Sequence, residues 1–120
     1  MKKNFKETSK NGAKSWLFQR ISAAILFVLL ILHFITYHFI SKGVIKYVDI
    51  IEKMKSPWFN LIQFVFLLTA VYHGFNGVWT IIEDYIHVKL MRIALFGILT
   101  TIALCLVFIG LLTIFKTTYI

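Results

Sequence analysis

The sequence is poor in charge, proline and cysteine, and these shortages exclude several kinds of protein. Charged residues make up only 15% of its 120 residues, whereas 59% are hydrophobic, and there is a single proline. A small soluble domain needs more polar surface than this to cover its core. The single cysteine, Cys105, excludes an intrachain disulfide. The composition is therefore typical of a membrane protein.

Charge is missing altogether from three long blocks of the sequence. No Asp, Glu, Lys or Arg occurs in residues 21–41, 56–82 or 93–115. Each block can cross a hydrocarbon layer of about 30 Å, for which roughly 20 helical residues suffice. The blocks do not alternate as barrel strands do, so helices remain as the way to satisfy the backbone in lipid. The sequence predicts an all-α integral membrane protein with three transmembrane helices.

The predicted boundaries lie where charge returns. The membrane domain covers residues 15–120, with helices at about 16–41, 57–83 and 90–116. The first helix exceeds a typical signal-peptide core, and no small-residue cleavage site follows it, so we expect it to be retained. In the first loop, apolar residues at helical spacing alternate with charged ones, which predicts a short amphipathic helix on the outer surface. Its apolar residues are Val44, Ile45, Val48 and Ile51.

The net charge of +8 arises outside the charge-free blocks. Residues 1–14 are lysine-rich without apolar periodicity, so we expect a flexible basic tail. Eight Lys and Arg side chains precede the first helix or lie in the second loop, against five in the first loop and near the C-terminus. The positive-inside rule then predicts a multi-pass protein of the inner or cytoplasmic membrane with a cytoplasmic N-terminus. Attraction to anionic lipid headgroups or a soluble partner explains the tail better than nucleic-acid binding does.

Three of the four histidines fall inside the predicted helices, where ionisable side chains usually serve a partner, a pathway or a cofactor. His73 shares one stripe of the second helix with small and polar residues, including Gly77 four residues later. This glycine leaves room for a flat porphyrin beside the imidazole, but tight helix packing would use the same pair. His33 shares an interior face of the first helix with Ser22. His38 lies near the outer border, where a hydrated position is favoured.

Polar residues also gather at the predicted cytoplasmic end of the bundle. Arg20 and Ser22 open the first helix, while Asp84 and Tyr85 close the second. A phenol donor beside a carboxylate suits the carbonyl of a lipid-soluble quinone. Ser22, Asp84 and Tyr85 are therefore candidates for a quinone site. Generic anchoring at the membrane interface explains Tyr85 equally well, and spacing alone does not decide between the two.

Two segments of the sequence resemble those of a known family. Residues 73–85, HGFNGVWTIIEDY, resemble the signature of the smaller, haem-binding cytochrome b type membrane-anchor subunit of succinate dehydrogenase or fumarate reductase, complex II. Residues 15–23, SWLFQRISA, resemble the segment that opens the first helix of that subunit. Together with the three-helix plan, the resemblance covers nearly the whole chain except the tail and the first loop. It implies that the three helices form half of a two-subunit helical bundle.

The resemblance also implies cofactors and partners. His73 would be an axial ligand to the iron of haem b, and Arg20 would pair with a haem propionate. Tyr85, supported by Asp84, would hydrogen-bond the quinone. The second axial ligand would come from a second membrane-anchor subunit, which places the haem between two chains.

The other redox groups of such a complex would lie elsewhere. The resemblance implies that FAD and iron–sulfur clusters belong to the flavoprotein and iron–sulfur subunits. This sequence itself has no CxxC pair or glycine-rich nucleotide loop. Electrons would pass from the iron–sulfur subunit to quinone as part of a succinate dehydrogenase. The chain alone would carry out no catalysis.

Alternatives remain at the level of the sequence. His33 lies where members of the family with two haems could carry a further ligand, so we predict that His33 binds a second haem. The alternative is that His33 forms a hydrogen bond with the companion subunit. An anchor of a quinol:fumarate reductase would share the same architecture. In a non-redox membrane assembly module, the histidines would only join helices. A small transporter is disfavoured, because its path usually needs broken helices or intramembrane carboxylates.

Overall fold

The computed structural model describes residues 4–40 and 46–119, with side chains at residues 12–39 and 46–119. Every regular element in these ranges is helical, which confirms the predicted all-α fold class. The elements are α1 (Asn4–Ile35), continued by a π-helical turn (Thr36–Ile40), then α2 (Tyr47–Met54), α3 (Pro57–Tyr85) and α4 (Lys89–Tyr119).

Among the described residues, three helices are long and apolar enough to cross a membrane. They are Gly12–Phe39, Pro57–Tyr85 and Lys89–Tyr119, with mean hydropathies of 2.1, 1.4 and 2.7. The predicted number of membrane helices is therefore confirmed. Pro57 lies in the first turn of α3, where its missing N–H is harmless. Within the described residues, Ser22 is the one buried residue in the three spans, so these helices leave much of their surface for lipid or for another protein.

The helix boundaries differ from the expected ones mainly at the N-terminus. α1 begins at Asn4, so the described part of the tail, residues 4–14, is helical; its flexibility stays a prediction. α2 confirms a helix in the first loop, and Met54 at its end is buried. Its position on the outer surface stays a prediction. Residues 44 and 45, expected on its apolar face, lie outside the described residues.

Helix α3 is the centre of the arrangement. It packs against α1 on one side and against α4 on the other, and within the described residues α1 and α4 do not pack on each other. Gly110 lets α4 approach α3 closely, since a Cβ atom there would lie 2.5 Å from the Leu67 side chain. α2 packs against α3 and α4 at one end of the bundle, where the Thr117 hydroxyl donates to the Met54 sulfur at 3.0 Å.

The antiparallel course of α1 and α3 determines which residues meet. At one end, Ser15 contacts Asn76, and towards the other end Tyr37 contacts Phe59. The first half of α1 therefore lies beside the last half of α3. This is the region where the sequence places most of its candidate polar residues.

Candidate functional site

The candidate ligand His73 lies at the contact between α1 and α3. Its Nδ1 atom is 3.0 Å from the Ser22 hydroxyl oxygen. Ser22 is the one buried polar side chain among the described residues, with 5% of its surface exposed. The Ser22 hydroxyl also lies 3.0 Å from the backbone carbonyl of Gln19, to which it donates.

Three further polar side chains continue this contact along the helices. The Gln19 side-chain amide donates to the backbone carbonyl of His73 at 3.3 Å. Asn76 donates to the Gln19 side-chain oxygen at 2.8 Å and accepts from the Ser15 hydroxyl at 2.8 Å. We call these five residues, Ser15, Gln19, Ser22, His73 and Asn76, the His73 network. Polar side chains within a membrane span need such partners, because lipid supplies none.

The geometry of His73 fits a haem ligand. One ring nitrogen is occupied by Ser22, while the other, Nε2, makes no hydrogen bond within the described part of the chain. Haem iron needs one imidazole nitrogen from each axial histidine, and the second nitrogen of a ligating histidine usually has a hydrogen-bond partner. His73 is partly exposed, so a group held between this chain and another can reach it.

Gly77 has a packing role in this structure. A Cβ atom at Gly77 would lie 3.2 Å from the Gln19 side-chain nitrogen. Gly77 was expected either to leave room for a porphyrin or to allow tight helix packing. The geometry matches the second of these, close contact between α1 and α3. Gly74, by contrast, has nothing within 4 Å of an added Cβ atom and lines a cavity between α3 and α4, so the open space beside it faces α4 rather than α1.

A cavity of about 820 Å³ adjoins the His73 network at the end of the bundle that carries the α3 C-terminus. Its lining consists of Gly12, Ser15, Trp16, Gln19, Arg20, Asn76, Trp79, Thr80 and Glu83. The Arg20 guanidinium lies 5.0 Å from the centre of the Trp16 ring, a cation–π contact that holds it at the cavity wall. The structure thus places Arg20 at an open cavity next to the residues around His73.

Asp84 and Tyr85 lie at the C-terminal end of α3 with exposed side chains, Tyr85 being 78% exposed. Tyr85 is 12 residues beyond His73, about 18 Å along the helix axis. Because the Ser22 hydroxyl lies against His73, the structure does not bring Ser22 together with Asp84 and Tyr85. The three residues predicted for one quinone site therefore fall into two places.

Arg92, at the start of α4, braces the turn that follows Tyr85. Its Nε atom donates to the Ile86 carbonyl, and its Nη2 atom donates to the Glu83 carbonyl at 3.0 Å. Basic side chains commonly bind the last carbonyls of a helix in this way. From the sequence, Arg92 was used only in the count of positive charges that predicts the membrane orientation. Arg92 follows Tyr85 by seven residues, beyond a short turn, and this spacing could have identified it as a side chain that binds the last carbonyls of α3.

Sequence reasoning also missed Gln19 and Asn76. Both signals were present: Gln19 precedes Ser22 by three residues, and Asn76 follows His73 by three, so each shares a helix face with its neighbour. An amide inside a membrane span is costly enough to indicate a partner. Neither signal identifies that partner.

His33 lies at the same α1–α3 contact, nearer the other end. Its ring stacks on Phe66 with centroids 5.8 Å apart and is tilted against Tyr37 at 4.5 Å. Eleven residues separate His33 from Ser22, roughly 16 Å along α1. His38 is exposed within the π-helical turn, with its ring beside Phe34. The structure therefore places His33 and His73 on one helix contact, at different depths.

Comparisons with known proteins agree with these features. The family model described as succinate dehydrogenase/fumarate reductase transmembrane subunit matches residues 4–115. A Rickettsia bellii protein is 36% identical over 103 residues, which cover 80% of each chain. A Rickettsia typhi protein is 31% identical over 110 residues and 86% of each chain. An Archaeoglobus fulgidus protein is 28% identical over 103 residues, 85% of this chain and 87% of its own.

All three relatives are named succinate dehydrogenase hydrophobic membrane anchor subunit. The family match extends over far more than half of the chain, and it confirms the resemblance noted from residues 15–23 and 73–85. The chain belongs to the family of transmembrane subunits of succinate dehydrogenase and fumarate reductase.

Proposed function

We propose that this chain is the anchor of a succinate:quinone oxidoreductase that binds haem b through His73 and contributes Asp84 and Tyr85 to a quinone site. The observation that carries the proposal is the position of His73. One imidazole nitrogen is hydrogen-bonded to Ser22, and the other is free of hydrogen bonds within the described residues. A cavity lined by Ser15, Gln19 and Asn76 of the His73 network lies further along the same helix contact. The names of the relatives support the anchor role.

A second anchor subunit would complete the haem site. This chain offers one histidine at the proposed depth, and the second axial ligand would come from the companion chain. The scarcity of buried residues in the three spans supports such a partner. The flavoprotein and iron–sulfur subunits would dock at the end of the bundle that carries Tyr85, because electrons must reach the quinone there.

Each residue near the proposed haem has a physical task. Haem supplies a one-electron centre within the membrane when it is bound. His73 would supply the nitrogen that binds the iron. A neutral imidazole also costs less to bury than a charged one would. The Arg20 guanidinium would pair with a propionate at this cavity, since charge-assisted hydrogen bonds to carboxylates are among the strong ones. Trp16 already holds Arg20 at that wall.

Quinone would bind near the end of α3. The Tyr85 hydroxyl would donate a hydrogen bond to a quinone carbonyl, and the Asp84 carboxylate would supply a proton acceptor beside it. Both side chains are exposed and open to a ligand or a partner. We leave Ser22 out of this site, because its hydroxyl lies against His73. Arg92, bound to the Glu83 and Ile86 carbonyls, would hold the end of α3 in place.

The proposed orientation rests on charge. α1 and α3 run antiparallel, so the α1 N-terminus and the loop after α3 share one side of the bundle. That side carries eight of the 13 Lys and Arg residues. The positive-inside rule therefore favours a cytoplasmic N-terminus, with the quinone site in the cytoplasmic leaflet.

A second haem on His33 remains part of the proposal. The separation of roughly 16 Å from Ser22 along α1 would place it in the outer half of the membrane. Measurement of haem against flavin in the purified complex tests this point. Two haems per flavin are expected, and one would remove the second site.

The test of the proposed function is purification of the complex through an affinity tag on the flavoprotein. We expect this chain to copurify, together with a b-type absorption spectrum and succinate-dependent quinone reduction. An assembled complex without haem would instead indicate a non-redox assembly module. Fumarate reduction by a quinol is the second candidate, because the matching family model covers both enzymes; comparison of the two rates in the same preparation separates them.

A further inference from the structure

We propose that Ser22 is a positioning residue for His73. Its hydroxyl accepts a hydrogen bond from Nδ1–H, selects the imidazole form whose Nε2 can bind iron, and thereby lowers the reduction potential of the haem. This inference rests on the proposed function, in which His73 is a haem ligand.

The protons available to Ser22 and its two partners decide which atom donates. A serine hydroxyl has one proton to donate and two lone pairs with which to accept. The Gln19 carbonyl, 3.0 Å from the Ser22 oxygen, can only accept, so it takes the Ser22 proton. The Nδ1 atom of His73, also at 3.0 Å, must then be the donor if both contacts are hydrogen bonds.

The assignment determines the state of the other ring nitrogen. A neutral imidazole carries its proton on one nitrogen and a lone pair on the other. With the proton on Nδ1, the lone pair is on Nε2, which is the nitrogen without a hydrogen bond in the described part of the chain. The ring is therefore prepared to bind a metal before any metal arrives.

The other residues of the His73 network keep Ser22 and His73 at the same level of α1 and α3. Gln19 binds the His73 backbone carbonyl through its side chain, while its own backbone carbonyl accepts from Ser22. Asn76 in turn fixes the Gln19 side chain. Ser22 is buried, so water does not compete for the hydrogen bond. The contact to the ring and the contact to the backbone thus fix both the orientation and the height of His73.

The hydrogen bond has an electronic consequence. A histidine that donates its second N–H becomes a more basic ligand. A more basic ligand stabilises ferric iron more than ferrous iron, because the ferric ion carries the larger charge. Loss of the Ser22 hydroxyl should therefore raise the reduction potential of the haem on His73.

The experiment uses the complete purified complex. Ser22→Ala removes the acceptor, Ser22→Thr restores a hydroxyl, and Thr101→Ala is a matched control. The Thr101 hydroxyl donates at 2.8 Å to the Gly97 carbonyl of its own helix, away from His73. The measurements are the haem-to-flavin ratio, the potential in a redox titration, and the electron paramagnetic resonance spectrum of ferric haem.

We expect Ser22→Ala to raise the potential and to alter the ferric spectrum. Outer partners of metal ligands change affinity roughly 10-fold to 100-fold, and a tenfold preferential loss of the ferric state is an upward shift of about 59 mV for one electron. Ser22→Thr should return the potential towards that of the wild type. Thr101→Ala should leave the potential and spectrum unchanged.

The outcomes separate this inference from the proposed function. Absence of haem from the wild-type complex removes the proposed function and this inference with it. Haem present, with the same potential and spectrum in Ser22→Ala as in the wild type, overturns the inference alone. If Ser22→Ala does not assemble, Ser22→Cys takes its place, because a thiol is a weaker acceptor of similar size; an unshifted potential in that variant is equally decisive against the role of Ser22.

Discussion

Replacement of Asn76 by leucine tests whether the His73 network holds the haem site together. Asn76 makes two hydrogen bonds of 2.8 Å, one to Gln19 and one from Ser15. Interhelical hydrogen bonds in membranes contribute about 0.6 kcal/mol on average and about 1.7 kcal/mol at most. The loss of both should therefore cost roughly 1 to 3 kcal/mol. Leucine has the same branching at Cγ and the same number of side-chain heavy atoms as asparagine, so the main loss is that of the hydrogen bonds.

A matched control is available on the same helix. Asn60 donates a single hydrogen bond to Thr118 at 2.9 Å, and its buried side-chain oxygen has no partner within the described residues. Asn60→Leu removes that unpaired oxygen together with the bond, so its net cost should be smaller. Asn60 also joins α3 to α4 rather than to α1, which leaves the His73 network intact.

The assay is haem release on heating the purified complex, followed by absorbance of the b-type band. Asn76→Leu should release haem at a clearly lower temperature than the wild type, and Asn60→Leu should lie between the two. If Asn60→Leu loses haem as readily as Asn76→Leu, the network has no special role at His73. An unchanged release temperature in Asn76→Leu would contradict the magnitude worked out above.

Two further predictions concern the end of α3. Tyr85→Phe should slow quinone reduction while leaving succinate oxidation by an artificial acceptor near the wild-type rate, because only one hydroxyl at the quinone end is lost; equal losses in both assays would point to an assembly defect. Arg92→Leu should weaken quinone reduction in the same selective way, since it frees the carbonyls of Glu83 and Ile86. Lys89→Leu, which removes a charge from the same turn, is the control; its effect on the apparent affinity for quinone should be smaller than that of Arg92→Leu.

The membrane helices could be predicted because absence of charge is enough to define them. The expected range 57–83 became Pro57–Tyr85, and 90–116 became Lys89–Tyr119. The start of α1 could not be placed in the same way. Its first residues lack apolar periodicity, but a helix already nucleated in the span extends at little cost per residue, and the structure begins it at Asn4.

The candidate site could be predicted only in part, because spacing along one helix does not give the register between two helices. His73 and Ser22 were both identified as polar residues on interior faces, but their contact at 3.0 Å depends on how α1 and α3 are aligned. Ser22 was therefore assigned to the quinone end. Gln19 and Asn76 were not predicted as site residues for a related reason. Each amide has its role only through a partner on the facing helix, and the sequence does not show that partner.

The most direct test of the account is the haem b content per flavin of the purified complex that carries His73→Ala. The alanine variant removes the ligand and leaves the contacts of Gln19 with the backbone carbonyl and with Asn76 available, so the complex should still assemble in part. Haem extraction as the pyridine complex gives the ratio without relying on activity. The account predicts that His73→Ala loses at least one haem per flavin relative to the wild type. A ratio equal to that of the wild type would contradict the claim that His73 binds haem.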